Sequence, residues 1–256
     1  MDISELKRIE PGSLINRHPW EHARSRIIIS FLRKKHRLNS IIDFGSGDSY
    51  LLRQLELNNI ADNYTAVDYA YTNEILRLLK EKFEGTTIRY KNSLPDIEGE
   101  LIPADGILFM DVLEHCENDL IVLNNSTSEK FVAKNGSIII TVPAFNFLFS
   151  DHDKLLNHYR RYNLKQLKML CENAGLIVES SGYFFILPLI MRCFQYGLEK
   201  ISIKKTAKSL DDWHHGKFLT GVIYTLLLID FRFGQLLNFV GIKLPGLSCY
   251  CRCRKQ

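Results

Sequence analysis

The sequence predicts a doubly wound α/β fold, and two observations carry that prediction. Between residues 40 and 142, short apolar runs ending at glycine, aspartate or proline alternate with segments of helical periodicity. Strands joined through helices lie parallel, because only a crossover brings the chain back to the same edge of the sheet. The chain has 256 residues, 46% hydrophobic and 24% charged, enough for one sizeable core with appendages.

Residues 1–39 are read as an N-terminal helical segment. From Trp20 to about His36, Ala23, Ile27, Ile28 and Phe31 share one helical face. Residues 40–44 form a buried strand that runs into Gly45-Ser46-Gly47, and a helix carrying Leu51, Leu52 and Leu55 follows. Further strands are expected at 64–68, 87–90, 106–110 and 137–142, with helices at 74–83 and about 119–132 between them. A helix at 164–174, stopped by Gly175, and a strand at 176–183 complete a core of residues 40–183. Residues 184–246 read as an apolar helical insertion and 247–256 as a closing strand.

The net charge of +4 favours anionic partners mildly, without the basic stripe of a nucleic-acid binder, and no DNA partner is expected. The opening residues, MDISELKRIE, hold no apolar signal segment, so a reducing, cytoplasmic setting is expected. Cys116, Cys171 and Cys193 lie in apolar stretches and read as buried thiols. Cys249, Cys251 and Cys253 alternate as a strand does, a pattern favoured over a metal site.

Ligands of such sheets bind at the carboxyl ends of the strands, where the strand order reverses. Gly45 and Gly47 let the backbone turn sharply and approach a ligand there. Asp68 ends the next strand, where a carboxylate can grip both hydroxyls of a ribose; capping a helix is its competing role. Asp111-Val112-Leu113-Glu114-His115 follows the fourth strand and faces the same crevice, as do Asn92 and Ser93 after the third. A dinucleotide fingerprint would need a third glycine at Tyr50, which disfavours a nicotinamide enzyme.

These motifs resemble those of the class I methyltransferases that use S-adenosyl-L-methionine, over about residues 40–183. The resemblance implies a Rossmann-like, seven-stranded, mostly parallel sheet with helices on both faces, its last strand inserted between the fifth and sixth. It places Asp43, Gly45, Ser46 and Gly47 under the methionine part of the cofactor. Asp68 and Tyr69 fall at the ribose, Asn92 or Ser93 at the adenine, and Asp111 and Val112 at the amino-acid end. Ser49 stands where many members carry a third glycine, and Asn92 where many carry aspartate.

Residues 142–162 follow the fifth strand at the mouth of the crevice and are read as a lid. Phe145, Phe147 and Phe149 are expected to anchor it, leaving Asp153, Tyr159, Arg160, Arg161 and Tyr162 free to meet a substrate, with Phe145 also on the substrate side. His115, His152 and His158 are the candidates for a general base, each also readable as a structural histidine. The H-D…H-x-R-R-Y pattern here, and Leu244-Pro245-Gly246-Leu247-Ser248, resemble bacterial methyltransferases of quinone and cell-surface glycan or glycolipid synthesis. The acceptor expected from this is a small molecule or a lipid-linked intermediate. Asp111, Glu114 and His115 at i, i+3 and i+4 share one face if a helical turn starts there. The run is similar to one on which some O-methyltransferases of quinone synthesis and RNA-end methyltransferases place a divalent metal; completed by His158, it is an alternative divalent-cation site, though no metal is the favoured reading.

Residues 184–194 are too short to span a bilayer, and Asp230 and Arg232 interrupt 219–240. Two inserted helices are favoured over a membrane span. They would cover the crevice, pack into a homodimer, or rest at the inner face of a membrane beside Lys200, Lys204, Lys205 and Lys208. An RNA methyltransferase and a non-catalytic binding protein that keeps the fold are the rival functions.

Overall fold

The computed structural model describes residues 17–33, 37–93, 102–201, 213 and 215–256. Helix α1 (Pro19–Leu32) starts where a capping box and a proline favour it: His18 Nδ1 accepts from the Trp20 amide, and the Glu21 carboxylate accepts from the His18 amide. Ala23, Ile27, Ile28 and Phe31 are buried on one face, as their spacing predicts. The chain continues through β1 (Leu38–Phe44), α2 (Tyr50–Leu57), β2 (Ala61–Val67), α3 (Asn73–Lys82), β3 (Ile88–Lys91) and β4 (Ala104–Met110). Then come α4 (Asp119–Ser126), β5 (Val132–Pro143), α5 (Asp151–Leu155), α6 (Leu164–Asn173), β6 (Leu176–Phe184), α7 (Ile186–Ile201), α8 (Lys217–Phe239) and β7 (Ser248–Lys255).

The seven strands form one sheet in the order β3-β2-β1-β4-β5-β7-β6. The pairs β1–β2, β1–β4, β2–β3 and β4–β5 are parallel, and β7 runs antiparallel between β5 and β6. The strand order reverses between β1 and β4, which puts the crevice at the turns after Phe44 and Met110. Leucines and isoleucines of α1, α2 and α3 cover one face of the sheet together with Leu227 and Phe231 of α8. Leu123, Leu167 and Leu170 of α4 and α6 cover the other.

One predicted helix ends early. Residues 119–132 do not form a single element: α4 stops at Ser126, where the hydroxyl of Thr127 donates to the Leu123 carbonyl, and Val132 already belongs to β5. Cys249, Cys251 and Cys253 are fully buried on one face of β7, and the described cysteines are all free thiols. Cys171 is buried as expected, but Cys193 is exposed on the outer side of α7 and Cys116 is half-buried.

The apolar insertion folds as α7 and α8. Lys200, Lys204, Lys205 and Lys208 lie outside the residues whose side chains are described. Asp230, which breaks the apolar run, is buried and accepts from the Ile186 and Leu187 amides, so it caps α7 from a neighbouring helix. Among the described residues α8 is the one helix long and apolar enough to cross a membrane by length and composition, and 17% of its apolar window is buried. Leu219, Val222, Leu226, Ile229, Phe233, Leu236 and Val240 form an exposed stripe along its outer face.

Gly246 packs directly on the backbone of Phe184, where a Cβ would meet the carbonyl carbon at 2.8 Å and the amide nitrogen at 3.0 Å. Gly246→Ala should lower stability by about 1–3 kcal/mol, as overpacking does. Gly197→Ala, on α7 with open space around it, should be neutral or stabilising by about 0.5–1 kcal/mol. Urea midpoints of the two variants check this.

Candidate active site

The turn after β1 is built around two buried carboxylates. Asp43 is 2% exposed. Its Oδ2 accepts from the Ser46 hydroxyl at 3.0 Å, while its Oδ1 is buried and accepts no hydrogen bond among the described residues. Burial pushes this carboxyl up to about 7, against the Ser46 hydrogen bond. Gly45 and Gly47 both take left-handed φ values, +66° and +55°. A Cβ on Gly45 would lie 2.5 Å from the Val112 side chain, so the glycine is required for the turns after β1 and β4 to meet. Asp68 accepts from the Gly47 amide at 2.9 Å and the Ala70 amide at 2.8 Å. It ties the glycine turn to the end of β2 and does not cap a helix; α3 is capped by Thr72.

Ser49 is buried with φ +58°, so it holds the left-handed position at which a glycine would be unstrained. Its hydroxyl meets Tyr71 Oη at 2.9 Å, and Tyr71 donates to the Gly47 carbonyl at 2.8 Å. Burial raises the Tyr71 phenol well above its ordinary range, so it stays a donor. Tyr69 is 75% exposed at the rim, and Asn92 and Ser93 sit at the carboxyl end of β3.

Across the switch point, Asp111 also has positive φ, +56°. Its Oδ1 accepts from the Thr141 hydroxyl at 3.0 Å and its Oδ2 pairs with Arg24 of α1. Arg17 pairs with Asp48 and Glu21 and lies over the Tyr50 ring, 3.8 Å from its centroid. Arg24 of α1 and Arg17, just before the helix, thus close over the crevice. Neither arginine was legible as a site residue, since nothing marks which cation of an amphipathic helix will face inward. Tyr71 was missed for a similar reason: a lone tyrosine after a strand carries no motif. A cavity of about 670 Å3 borders this closure, between α1, α2 and α8, with Arg17, His22, Arg26, Tyr50 and Lys217 in its wall. It lies outside the crevice that the sheet topology defines, and the buried carboxylates mark the site better than the open volume does.

The lid departs from expectation. Phe147 is 58% exposed and does not anchor it; Leu148 is buried instead, and Phe145 stacks on Tyr183. Asp153 is fully buried, accepting from His158 Nδ1 at 2.9 Å, from Arg161 Nε at 2.7 Å and from the Ser150 amide at 2.9 Å. Burial alone would raise this carboxyl, but the bonds from His158 and Arg161 hold it well below the usual range. Arg160 bonds Asp119 and the Glu117 carbonyl, and the buried Tyr162 hydroxyl donates to Asp119 at 2.7 Å. Asp153, Arg160, Arg161 and Tyr162 therefore build the lid itself and are not free for a substrate. Tyr159 is exposed, and its amide donates to the Glu114 carbonyl at 2.7 Å.

That bond draws the lid onto the turn Leu113–His115. The His115 and His158 rings meet edge to face with centroids 4.5 Å apart. Burial, then the neighbouring His158, lowers the His115 pKa. Glu114 is fully buried beside them; burial, then the charge of Asp111, raises its pKa well above the carboxylate range. His152, on α5, is not part of this group. The arrangement that puts Asp111 on one helical face with Glu114 and His115 does not form, because the left-handed turn at Asp111 sends its carboxylate to Arg24 and Thr141.

Residues 17–181 match the model of the methyltransferase domain family. The chain belongs to this family. The same sheet occurs in an S-adenosylmethionine-dependent methyltransferase of Archaeoglobus fulgidus, 16% identical with a TM-score of 0.55, over 92% of this chain and 93% of that one. It occurs in the N-methyltransferase NodS of Bradyrhizobium japonicum, 12% identical, TM-score 0.54, over 98% and 96%. It also occurs in a phosphoethanolamine N-methyltransferase of Haemonchus contortus, 13% identical, TM-score 0.54, over 91% of this chain and 52% of that one. At these identities the likeness is one of fold. No curated protein matches. By family and fold the chain is a class I, S-adenosylmethionine-dependent methyltransferase.

Asp153→Asn strips the charge partner from Arg161, whose side chain is 9% exposed, and should cost this methyltransferase about 3–5 kcal/mol. The folded carboxyl is depressed, so its stabilisation is complete above about pH 4 and fades as the pH falls through the folded value. Urea unfolding at pH 7 and at pH 3 should show a variant deficit that shrinks in acid.

Proposed function

We propose that this methyltransferase binds S-adenosyl-L-methionine in the crevice between the β1 and β4 turns. The methyl group goes to an oxygen or nitrogen of a small molecule or lipid-linked intermediate. The observation that carries the proposal is the glycine turn held between the buried carboxylates of Asp43 and Asp68 at the switch point. Asp68, which accepts from the Gly47 and Ala70 amides at the carboxyl end of β2, suits the ribose hydroxyls. Among the described residues the buried Oδ1 of Asp43 accepts no hydrogen bond, which suits a donor such as an ammonium group. Arg24 and Asp111 suit the carboxylate and ammonium of a methionine part, and Tyr69, Asn92 and Ser93 suit the adenosine rim. The Haemonchus neighbour holds S-adenosylmethionine and the Bradyrhizobium one S-adenosylhomocysteine, which supports the same cofactor here.

The cofactor supplies an activated methyl group, so the chain's task is alignment of the acceptor. The acceptor side of the crevice is the pocket of Glu114, His115 and His158 beneath the lid. Burial keeps His115 neutral at pH 7, with a nitrogen lone pair available there. Calorimetry should show S-adenosylhomocysteine binding to the native chain and a loss of about 100-fold or more in Asp68→Ala, from charged-acceptor bonds of about 1.5–3 kcal/mol each. A folded native chain that binds neither S-adenosylmethionine nor its product would refute the reading.

We also propose that the outer face of α8 rests on a lipid surface, where a lipid-linked acceptor would be presented. Support comes from charge as well as apolarity: the acid of α8, Asp230, is buried, while Lys217, Arg232 and Lys243 are exposed around the stripe. The chain should sediment with vesicles containing phosphatidylglycerol and far less with phosphatidylcholine alone. Leu226→Glu with Ile229→Glu should stay in solution, folded by circular dichroism. A stable dimer that ignores both kinds of vesicle would assign the stripe to a second copy instead.

A further inference from the structure

We propose that the cavity between α1, α2 and α8 binds a small phosphate ester with a hydroxyl-bearing body, at a place apart from the crevice of the sheet. Its volume of about 670 Å3 is that of a small-molecule pocket, about 300–1,000 Å3. Five residues of its wall carry basic side chains: Arg17, His22, Arg26, His215 and Lys217. No acid lines it among the described residues. A concave wall of one charge sign concentrates the field and draws an ion of the opposite sign.

Arg26 and Lys217 decide the matter. Arg17 is held by Glu21 and Asp48, so its charge is answered within the protein. Arg26 on α1 and Lys217 at the start of α8 are exposed to the cavity from two different helices, and neither has an ion pair among the described residues. Two like charges brought to one cavity repel each other, and an anion between them replaces that repulsion with two attractions. The start of α8 adds to the same sign: its N-cap, Gly216, makes no side-chain cap, and its first turn holds no acid. A phosphate ester matches this set, since it carries up to two charges and three acceptor oxygens.

The rest of the wall is polar and held in place. His22 Nδ1 meets the Tyr50 hydroxyl at 2.5 Å, and the Arg17 guanidinium lies over the same ring. The Trp213 indole donates to the Thr220 hydroxyl at 2.7 Å, which ties the segment before α8 to its first turn. The side-chain amide of Gln54, on α2, makes no hydrogen bond among the described residues, so it offers a ligand hydroxyl both a donor and an acceptor. Ile29 is the one aliphatic side chain among the described wall residues. Lys217, Thr220, Gly221 and Tyr224 share one face of α8 at i, i+3, i+4 and i+7. The apolar stripe with Leu226 and Ile229 lies on the opposite face, so an acyl chain resting there is turned away from the cavity. Both features favour a sugar or polyol phosphate over a lipid.

The experiment is calorimetric titration of the full-length protein with inorganic pyrophosphate, glucose 1-phosphate, glucose and dihexanoyl phosphatidic acid. Pyrophosphate and glucose 1-phosphate should bind saturably, one per chain, and glucose should not bind over the same range. Arg26→Gln with Lys217→Gln should weaken both phosphates about 10-fold or more. Lys134→Gln with Lys165→Gln removes as much charge from exposed positions outside the cavity and should leave binding within about 2-fold. Asp68→Ala, in the cofactor crevice, should also leave it unchanged, so this site and the cofactor reading fail separately. Circular dichroism is the folding control. A folded native chain that binds neither pyrophosphate nor glucose 1-phosphate overturns the proposal, as does equal weakening in the two double variants or loss of binding in folded Asp68→Ala. Tighter binding of dihexanoyl phosphatidic acid than of glucose 1-phosphate overturns the hydroxyl-bearing body.

Discussion

The contact between Gly45 and Val112 is the constraint on which the site depends. β1 and β4 are neighbours at the switch point, and their turns must cross the same small space. Val112 fills the volume that any side chain at position 45 would need. The close approach puts Asp43 and Asp68 on one side of the crevice and Asp111 on the other. The backbone is strained here as well: Ser49 and Asp111 hold positive φ without being glycine. Such conformations cost of order 1–3 kcal/mol each and persist where the surroundings over-determine them. At Ser49 that support is the hydroxyl contact with Tyr71, and at Asp111 it is Arg24 and Thr141.

The sheet was legible because its signals are local. Buried parallel strands are continuous apolar runs, and each ends in a residue that breaks the pattern, such as Gly45 or Pro143. The antiparallel insertion of β7 followed from the family resemblance and not from any pattern in residues 248–255. The glycine turn, and the place of Asp68 at the end of β2, were legible because both follow from backbone patterns, which sequence encodes directly. The closure by Arg24, and by Arg17 just before the helix, was not, because it depends on how α1 is set, and that is fixed by packing against α8. The same packing explains Asp230, which looks like a flaw in an apolar helix and is a cap for another one.

The lid shows the opposite failure. A dense run of histidine, aspartate, arginine and tyrosine looked like a set of free groups at a crevice mouth. Most of it is internal wiring: Arg161 to Asp153, Arg160 and Tyr162 to Asp119. Polar density in a loop reports only that polar groups need partners, and a buried loop finds them within itself. The residue left over after this pairing is Glu114, which the sequence presented as part of a common motif. Its lack of hydrogen-bond partners among the described residues is visible only once the neighbours are paired.

Charge balance ties the two halves of the crevice together. Arg24 and Asp111 neutralise each other across it. On the proposed reading, a zwitterionic methionine part can enter between them, its carboxylate meeting Arg24 and its ammonium meeting Asp111, without adding net charge to a dry site. The sulfonium then brings one uncompensated positive charge. Asp43, held near neutrality by burial, is the group beside the turn whose ionisation can answer it. On the other side of Asp111, Glu114 is a second buried acid, with no hydrogen-bond partner among the described residues. Val112 and Leu113 alone separate the two acids along the chain, so the crevice is acidic on both sides of one turn. On the same reading, a site built this way favours a positively charged methyl donor, with the β4 turn as its fixed wall.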